Sequence, residues 1–174
     1  MNYRVAVLAL LLVSCDVKKE ESTFDMRAQD EQDIRAFVAD VHKGLMRAYK
    51  GGVANTDSLI DLYYDKDIYY VTPWGWSEPI DSTKSRLRRA SASIKQYENR
   101  VENLTVKSFG DGAYAYFILR QNYIVAGRYL EEYLPTTWIL EKKDGMWKII
   151  HAQRSTDYET MQQWVALQQL QGGK

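Results

Sequence analysis

Two glycine-containing turns divide the second half of the chain, and they constrain the fold more than any other feature. The first turn is Gly110-Asp111-Gly112 and the second is Lys143-Asp144-Gly145. Such turns between segments rich in β-branched and aromatic residues are typical of β-hairpins. The sequence over 103–155 therefore predicts four long strands that pair as an antiparallel meander.

The first half of the chain predicts helices and one early strand. Apolar residues recur at helical spacing over 34–49, and Gly51 follows them as a stop signal. A shorter helix is predicted over 55–64, a strand over 65–73 and a third helix over 81–98.

Helices that precede an antiparallel sheet indicate the α+β class. We expect a cone-shaped domain in which three N-terminal helices pack on a strongly curved antiparallel sheet. A hollow should lie between the helices and the concave face. The residues at 158–174 are expected to form a short C-terminal helix or tail.

The N-terminal residues have the pattern of an export signal. Arg4 precedes an apolar run over 5–13, which is shorter than the ~20 residues that span a bilayer. The residues that follow, Leu12-Val13-Ser14-Cys15, resemble the lipobox of bacterial lipoproteins, and Cys15 is the single cysteine of the chain. That resemblance implies cleavage after residue 14, lipidation of Cys15 and a lipid anchor in a bacterial cell envelope.

The segment after Cys15 is polar and charged. We expect residues 15–29 to form the lipidated cysteine and a flexible tether. An aspartate at position 16 resembles an inner-membrane retention signal, whereas the acidic and lysine-rich residues after it resemble a surface-export signal. The periplasmic face and the cell surface therefore both remain open.

The composition argues against several classes of partner. Lysine plus arginine equals aspartate plus glutamate at 23 each, so no overall field attracts nucleic acid, and we expect no nucleic-acid partner. Two histidines and one cysteine are too few for a zinc site, so no metal is expected. Fingerprints for phosphate or dinucleotide cofactors do not occur, and no cofactor is expected.

The order of elements and three short stretches resemble the nuclear transport factor 2-like superfamily in its SnoaL-like branch. The stretches are "GDGAYAYF" (110–117), "EKKDGMWKIIHAQRS" (141–155) and "EPIDSTKS" (78–85). The resemblance covers about 30–157. It implies a pocket lined by the concave sheet face and the helices. Members include ketosteroid isomerases, polyketide cyclases, a dehydratase, an epoxide hydrolase and non-catalytic binding and association domains, so the fold does not settle function.

On that pattern, alternate residues of the last strand from Trp147 to Ser155 point into the pocket. On one long strand, Arg120 and Asn122 share one face and Gln121 and Tyr123 share the other. Either face could line the hollow, so both alternatives stay open. The candidate ligand-binding residues are Tyr70, Trp74, Trp76, Tyr97 (on the third helix), Arg120, Tyr123, Trp147, His151, Gln153 and Ser155.

Three functions are compatible with these residues. The leading hypothesis is non-catalytic binding of a small, largely apolar molecule, by a homodimer that pairs through the outer face of the sheet. The alternative is a proton-transfer enzyme (isomerase, cyclase or dehydratase) with His151 as base and a tyrosine as oxyanion donor. The third is a protein-interaction module that uses the Trp74 and Trp76 loop.

Several other polar residues are expected to have no role in a site. His42, at the edge of the apolar stripe of the first helix, should be solvated or partly packed. The acids of the strand region are expected to be solvated. They are Glu131, Glu132, Glu141 and Asp157.

Overall fold

The structure is a computed structural model that describes residues 14–51 and 54–172, with side chains described over 25–50 and 56–166. Residues 1–13 of the predicted signal peptide and the side chain of Cys15 lie outside the described parts. The helices are α1 (Ser14–Gly51), α2 (Ala54–Tyr63), α3 (Ile80–Ser93) and α4 (Tyr158–Gly172). The strands are β1 (Tyr64–Val71), β2 (Ser77–Glu78), β3 (Lys95–Phe109), β4 (Gly112–Val125), β5 (Arg128–Lys143) and β6 (Met146–Arg154).

The strands form one sheet in the order β2-β1-β6-β5-β4-β3. The meander from β3 to β6 is antiparallel, as the turns predict. The early strand β1, however, pairs parallel with β6, so the expected all-antiparallel sheet is wrong at that pair. A parallel pair needs a long crossover between its strands, and here α3 and the meander supply that connection.

Both predicted hairpin turns are present. At the β5–β6 turn, Asp144 and Gly145 have φ angles of 51° and 77°, the left-handed pair that a tight hairpin requires. At the β3–β4 turn, Gly110 has a φ of 71°. These turns set the register of the long strands and hence which residues reach the concave face.

The first helix begins earlier than expected. α1 starts at Ser14, so the backbone of the segment predicted to be a flexible tether is helical. The later part of that segment rests on the sheet: the hydroxyl of Ser108 donates to the carbonyl of Arg27 at 3.2 Å. In addition, Glu31 accepts a hydrogen bond from the Ser108 amide.

The third helix ends earlier than expected. It stops at Ser93, because Ile94 takes an extended conformation (φ −79°, ψ 137°) and leads directly into β3. Tyr97 therefore lies on a strand and not on the helix to which the sequence assigned it.

The core lies between α1 and the concave face of the sheet. The helix contributes the stripe predicted by its periodicity, and the strands contribute large side chains that are fully buried. Each fully buried side chain of this kind contributes roughly 1.5–3 kcal/mol. The largest of these residues are Trp138, Tyr123, Phe117, Ile34, Ile60, Leu119, Leu134, Leu140, Ile149, Val38, Val41 and Val106.

His42 belongs to this core, so the expectation that it is solvated or partly packed is wrong. Its ring stacks on Trp138 at 5.5 Å and meets the edge of Phe117 at 5.3 Å. Neither ring nitrogen has a hydrogen-bond partner among the described residues. Burial, reinforced by the positive charge of Arg154, lowers the pKa of His42 from 6.5 to about 3, so the imidazole is neutral in the folded protein.

No helix within the described residues is long and apolar enough to cross a membrane.

Candidate functional site

A cavity of about 130 Å³ lies between α1, α3 and the concave face of the sheet. An engineered cavity of about 150 Å³ binds benzene, so this one has room for a ligand about the size of one ring. Most of its lining is apolar or aromatic, but it also contains two arginines and one glutamate. The lining residues are Leu45, Tyr49, Tyr64, Tyr70, Pro73, Trp74, Thr83, Arg86, Leu87, Ala90, Ile94, Tyr97, Gln121, Tyr123, Glu132, Leu134, Arg154 and Trp164.

A β-bulge in β6 decides which of its polar residues face the cavity. Leu140 of β5 pairs with Ile149, whereas the preceding Ile139 pairs with His151, so Ile150 is an extra residue on β6. One extra residue moves all later side chains to the opposite face of the sheet.

The bulge corrects the prediction for three residues of the last strand region. His151 and Gln153 point to the outer face, and Ser155 lies exposed just beyond the strand. None of the three belongs to the described lining of the cavity, and Arg154 takes the inward position instead. Arg154 was not among the candidates, because strict alternation along the strand assigns it to the outside.

The guanidinium of Arg154 places a positive charge in the wall of the cavity. Its Nε is buried and has no hydrogen-bond partner, and no carboxylate of the described residues lies within 4.0 Å of it. Burial acts to lower the pKa of Arg154, but the oxygens of Tyr70 and Tyr64 outweigh this, and the group stays protonated. A guanidinium partly withdrawn from water without an anionic partner is destabilising, and a bound anion would remove that cost.

The second arginine of the cavity is already neutralised. Arg86 donates to Glu78 at 2.8 Å, and Thr83 donates to the same carboxylate oxygen at 3.0 Å. The guanidinium also lies 4.9 Å from the ring centroid of Tyr70. Arg86 therefore forms a wall of the cavity, and Arg154 is the cation left open to a ligand.

Tyrosine hydroxyls surround this cation. Burial raises the pKa of Tyr49 to about 12 and also raises the pKa values of Tyr64 and Tyr97, so these groups remain protonated donors. The hydroxyl of Tyr97 donates to Gln121 at 2.9 Å and accepts from Asn99 at 3.2 Å. The proton of Tyr97 is thus already donated, whereas the protonated hydroxyls of Tyr49 and Tyr64 beside the guanidinium form an environment that favours an anion.

Glu132 lies in the wall of the same cavity, 6% exposed, so the expectation that it is solvated is wrong. The indole nitrogen of Trp164 donates to its carboxylate at 2.6 Å, and the side-chain amide of Gln121 also donates to it. Tyr123 forms a further hydrogen bond with it, and burial, reinforced by this carboxylate, raises the pKa of Tyr123. Its neighbour Glu131 faces outward.

The register of β4 settles the alternative that the sequence left open. Gln121 and Tyr123 line the cavity, whereas Arg120 and Asn122 do not belong to its described lining. Arg120 pairs with Glu102 at 3.0 Å on the outer face of the sheet, so the prediction that it faces the hollow between the helices and the sheet is wrong.

Two tryptophans, Trp74 and Trp164, line the cavity. Trp74 lies in the wall, stacks on Trp76 at 5.6 Å and meets the edge of Trp164 at 6.0 Å. Trp76 is 58% exposed and does not appear in the described lining. Trp147 is buried in the core near Lys142, also outside that lining.

The structure thus brings together four of the predicted residues and adds others. Tyr70, Trp74, Tyr97 and Tyr123 line the cavity as expected, although a role in ligand binding stays a prediction. The residues that sequence reasoning missed as site residues are Arg154, Glu132, Arg86 and Trp164. The described residues contain no cluster of histidine, cysteine or acidic side chains that could hold a metal ion.

The sequence matches no family model and no curated protein. Solved structures do resemble it. An NTF2-like protein with a cystatin-like fold from Novosphingobium aromaticivorans superposes with a TM-score of 0.61 at 15% identity, covering 86% of this chain and 97% of that one.

Two further structures are similar. An NTF2-like protein of unknown function from Pseudomonas putida has a TM-score of 0.58 at 17% identity, covering 76% of this chain and 92% of its own. The association domain of C. elegans CaMKII has a TM-score of 0.60 at 17% identity, covering 76% of this chain and 99% of its own. Identities this low establish the fold alone.

Proposed function

We propose that this chain, which has the NTF2-like α+β cone fold, binds a small organic carboxylate in the cavity, with Arg154 holding the carboxylate. The observation that supports it most strongly is a guanidinium in the cavity wall whose buried Nε has no hydrogen-bond partner and which has no anionic partner among the described residues. A planar guanidinium matches a carboxylate with two parallel hydrogen bonds. The nearby hydroxyls of Tyr64 and Tyr70 would complete the donor set.

The remaining lining sets the size and character of the ligand. With about 130 Å³ available, the body of the ligand should be one ring or a short chain. Aromatic walls from Trp74 and Tyr49 favour an apolar body. The sequence predicted a largely apolar ligand. We now propose that this ligand has an apolar body and one anionic group.

Isothermal titration with a panel of monocarboxylates, including pentanoate and benzoate, tests this proposal. Arg154→Met should weaken carboxylate binding at least roughly tenfold, the loss expected for a charge-assisted contact. Arg120→Met removes an arginine from the outer face of the same sheet and should leave the affinity unchanged. Equal binding by Arg154→Met and the wild-type chain would contradict the proposal, and so would failure of the wild-type chain to bind any carboxylate.

The enzyme alternative loses the base that it named, because His151 faces away from the cavity. The interaction-module alternative retains one feature in its favour, the exposed indole of Trp76. If that alternative holds, Trp76→Ala should abolish capture of a partner while leaving the carboxylate affinity intact.

Self-association is a second proposed property, supported by the outer face of the sheet. Tyr69, Tyr114 and Tyr116 are exposed there at 67%, 37% and 40%. Tyr114 and Tyr116 lie two residues apart on β4, and Tyr69 lies three strands away on β1. Exposed apolar residues grouped on one face of a sheet are typical of an interface. One similar structure is an association domain. Light scattering should show a dimer that Tyr116→Lys dissociates, and a monomeric wild-type chain would exclude it.

We also propose that Cys15 anchors the chain in a bacterial envelope, on the strength of the Leu12-Val13-Ser14-Cys15 pattern. Stable anchoring requires more than one acyl chain. Mass spectrometry of the membrane fraction should find residues 1–14 removed and Cys15 acylated. An unmodified Cys15 would refute the anchor.

A further inference from the structure

We propose that the ligand of the cavity carries an amino group in addition to its carboxylate, with Glu132 receiving the ammonium end. This inference rests on the proposed binding of a carboxylate by Arg154. It names the ligand class more closely as a short amino carboxylate whose two charged groups lie at opposite ends of its body.

Glu132 is a buried carboxylate without a cationic partner. The groups that bond to it, the indole of Trp164, the amide of Gln121 and the hydroxyl of Tyr123, are all neutral donors. No lysine, arginine or histidine of the described residues lies within 4.0 Å of its oxygens. An ionised carboxylate offers about four acceptor positions, so at least one remains available to a ligand.

The two unpaired charges line one cavity but do not meet. Arg154 pairs across the sheet with Thr136, and Glu132 lies four residues before Thr136 on β5. At about 3.4 Å per residue, that offset is roughly 14 Å between backbone positions. Both side chains point into the same space, so a ligand with charges at its two ends can reach both. An α-amino acid, which carries both groups on one carbon, is a poorer match to this offset.

A structural role accounts for the two acceptor oxygens of Glu132 but leaves its negative charge without a compensating cation. Its oxygens accept from Trp164, which attaches α4 to β5, and from Gln121, and a glutamine at position 132 could keep only one of these two bonds. A carboxylate adds a negative charge in a wall where desolvation is costly. An ammonium group removes that cost in the bound state.

The test compares three ligands with the same carbon chain on the full-length protein by isothermal titration. They are 5-aminopentanoate, 5-hydroxypentanoate and pentanoate. The wild-type chain should bind 5-aminopentanoate at least roughly tenfold more tightly than the other two, which corresponds to one charge-assisted contact. This comparison needs no variant, so it holds even if substitutions at position 132 disturb folding.

Glu132→Gln should then remove the preference for the amino compound. It should change the pentanoate affinity less than about threefold, which is well under the tenfold change in affinity that corresponds to 1.4 kcal/mol. Glu131→Gln, the adjacent outward acid, should retain the preference. The inference is overturned if the wild-type chain binds pentanoate or 5-hydroxypentanoate as tightly as 5-aminopentanoate, or if Glu132→Gln keeps the preference. If none of the three carboxylates binds, the proposed function itself fails, which is a different result.

Discussion

Lowering the pH from about 7.5 to about 5 should destabilise this fold by roughly 2 kcal/mol through one residue, His42. Its pKa is about 3 in the folded state and 6.5 as the model value for the unfolded chain. Above pH 6.5 both states are neutral, and His42 has no effect on stability. Below pH 6.5 the unfolded chain binds a proton that the folded protein cannot accept, so stability falls.

The magnitude follows from the size of the pKa difference. Between pH 6.5 and pH 3 the free energy of unfolding should fall by about 1.4 kcal/mol per pH unit. The physical cause is burial between Phe117 and Trp138, where neither ring nitrogen finds a partner among the described residues. The positive charge of Arg154 adds to the effect.

Urea unfolding at several pH values between about 7.5 and 5 measures this slope in the free energy of unfolding. His42→Phe should flatten the slope, because a phenyl ring keeps the stacking on Trp138 and cannot be protonated. His151→Phe, at the histidine on the outer face, should leave the slope in place. An equal slope in wild-type and His42→Phe proteins would refute the reasoning, as would a wild-type stability independent of pH over this range.

Two further predictions concern packing and capping. Gly44→Ala should destabilise the fold by about 1–3 kcal/mol, because its Cβ would collide with the buried side chain of Leu59; an unchanged thermal midpoint would show that Leu59 can move aside. Asp157→Ala should cost about 1 kcal/mol, because its carboxylate caps α4 by accepting from the amide of Thr160 at 2.7 Å. Faster amide exchange confined to α4 would support the capping role, and unchanged exchange would contradict it.

Much of the fold followed from local patterns. The helical periodicity of α1, the glycine turns of the meander and the early strand all appear near their predicted positions. Errors arose where local preference competed with the sheet. The helical pattern of the sequence continues past Ile94. In the structure Ile94 is extended, because it leads into β3, the strand that pairs with β4.

The residues of the candidate site were harder to predict from the sequence than the fold. Aromatic residues such as Tyr70 and Tyr123 were found because they are large and lie on predicted strands. Arg154 and Glu132 were missed as site residues because charged residues on strands are usually solvated. A signal for Glu132 did exist: it adjoins Glu131, and one of two successive strand residues must face inward.

The sequence by itself determined the class of this protein, because helical and strand periodicities and turn residues act locally. It also determined that alternate residues of each long strand face the core. Only the tertiary structure decided which charges share the cavity. The bulge at Ile150 is a one-residue mismatch between β5 and β6, and β6 pairs at the same place with β1, which lies far earlier in the chain. Arg154 therefore faces inward while His151 faces outward, and Arg154 lies open in the same cavity as Glu132.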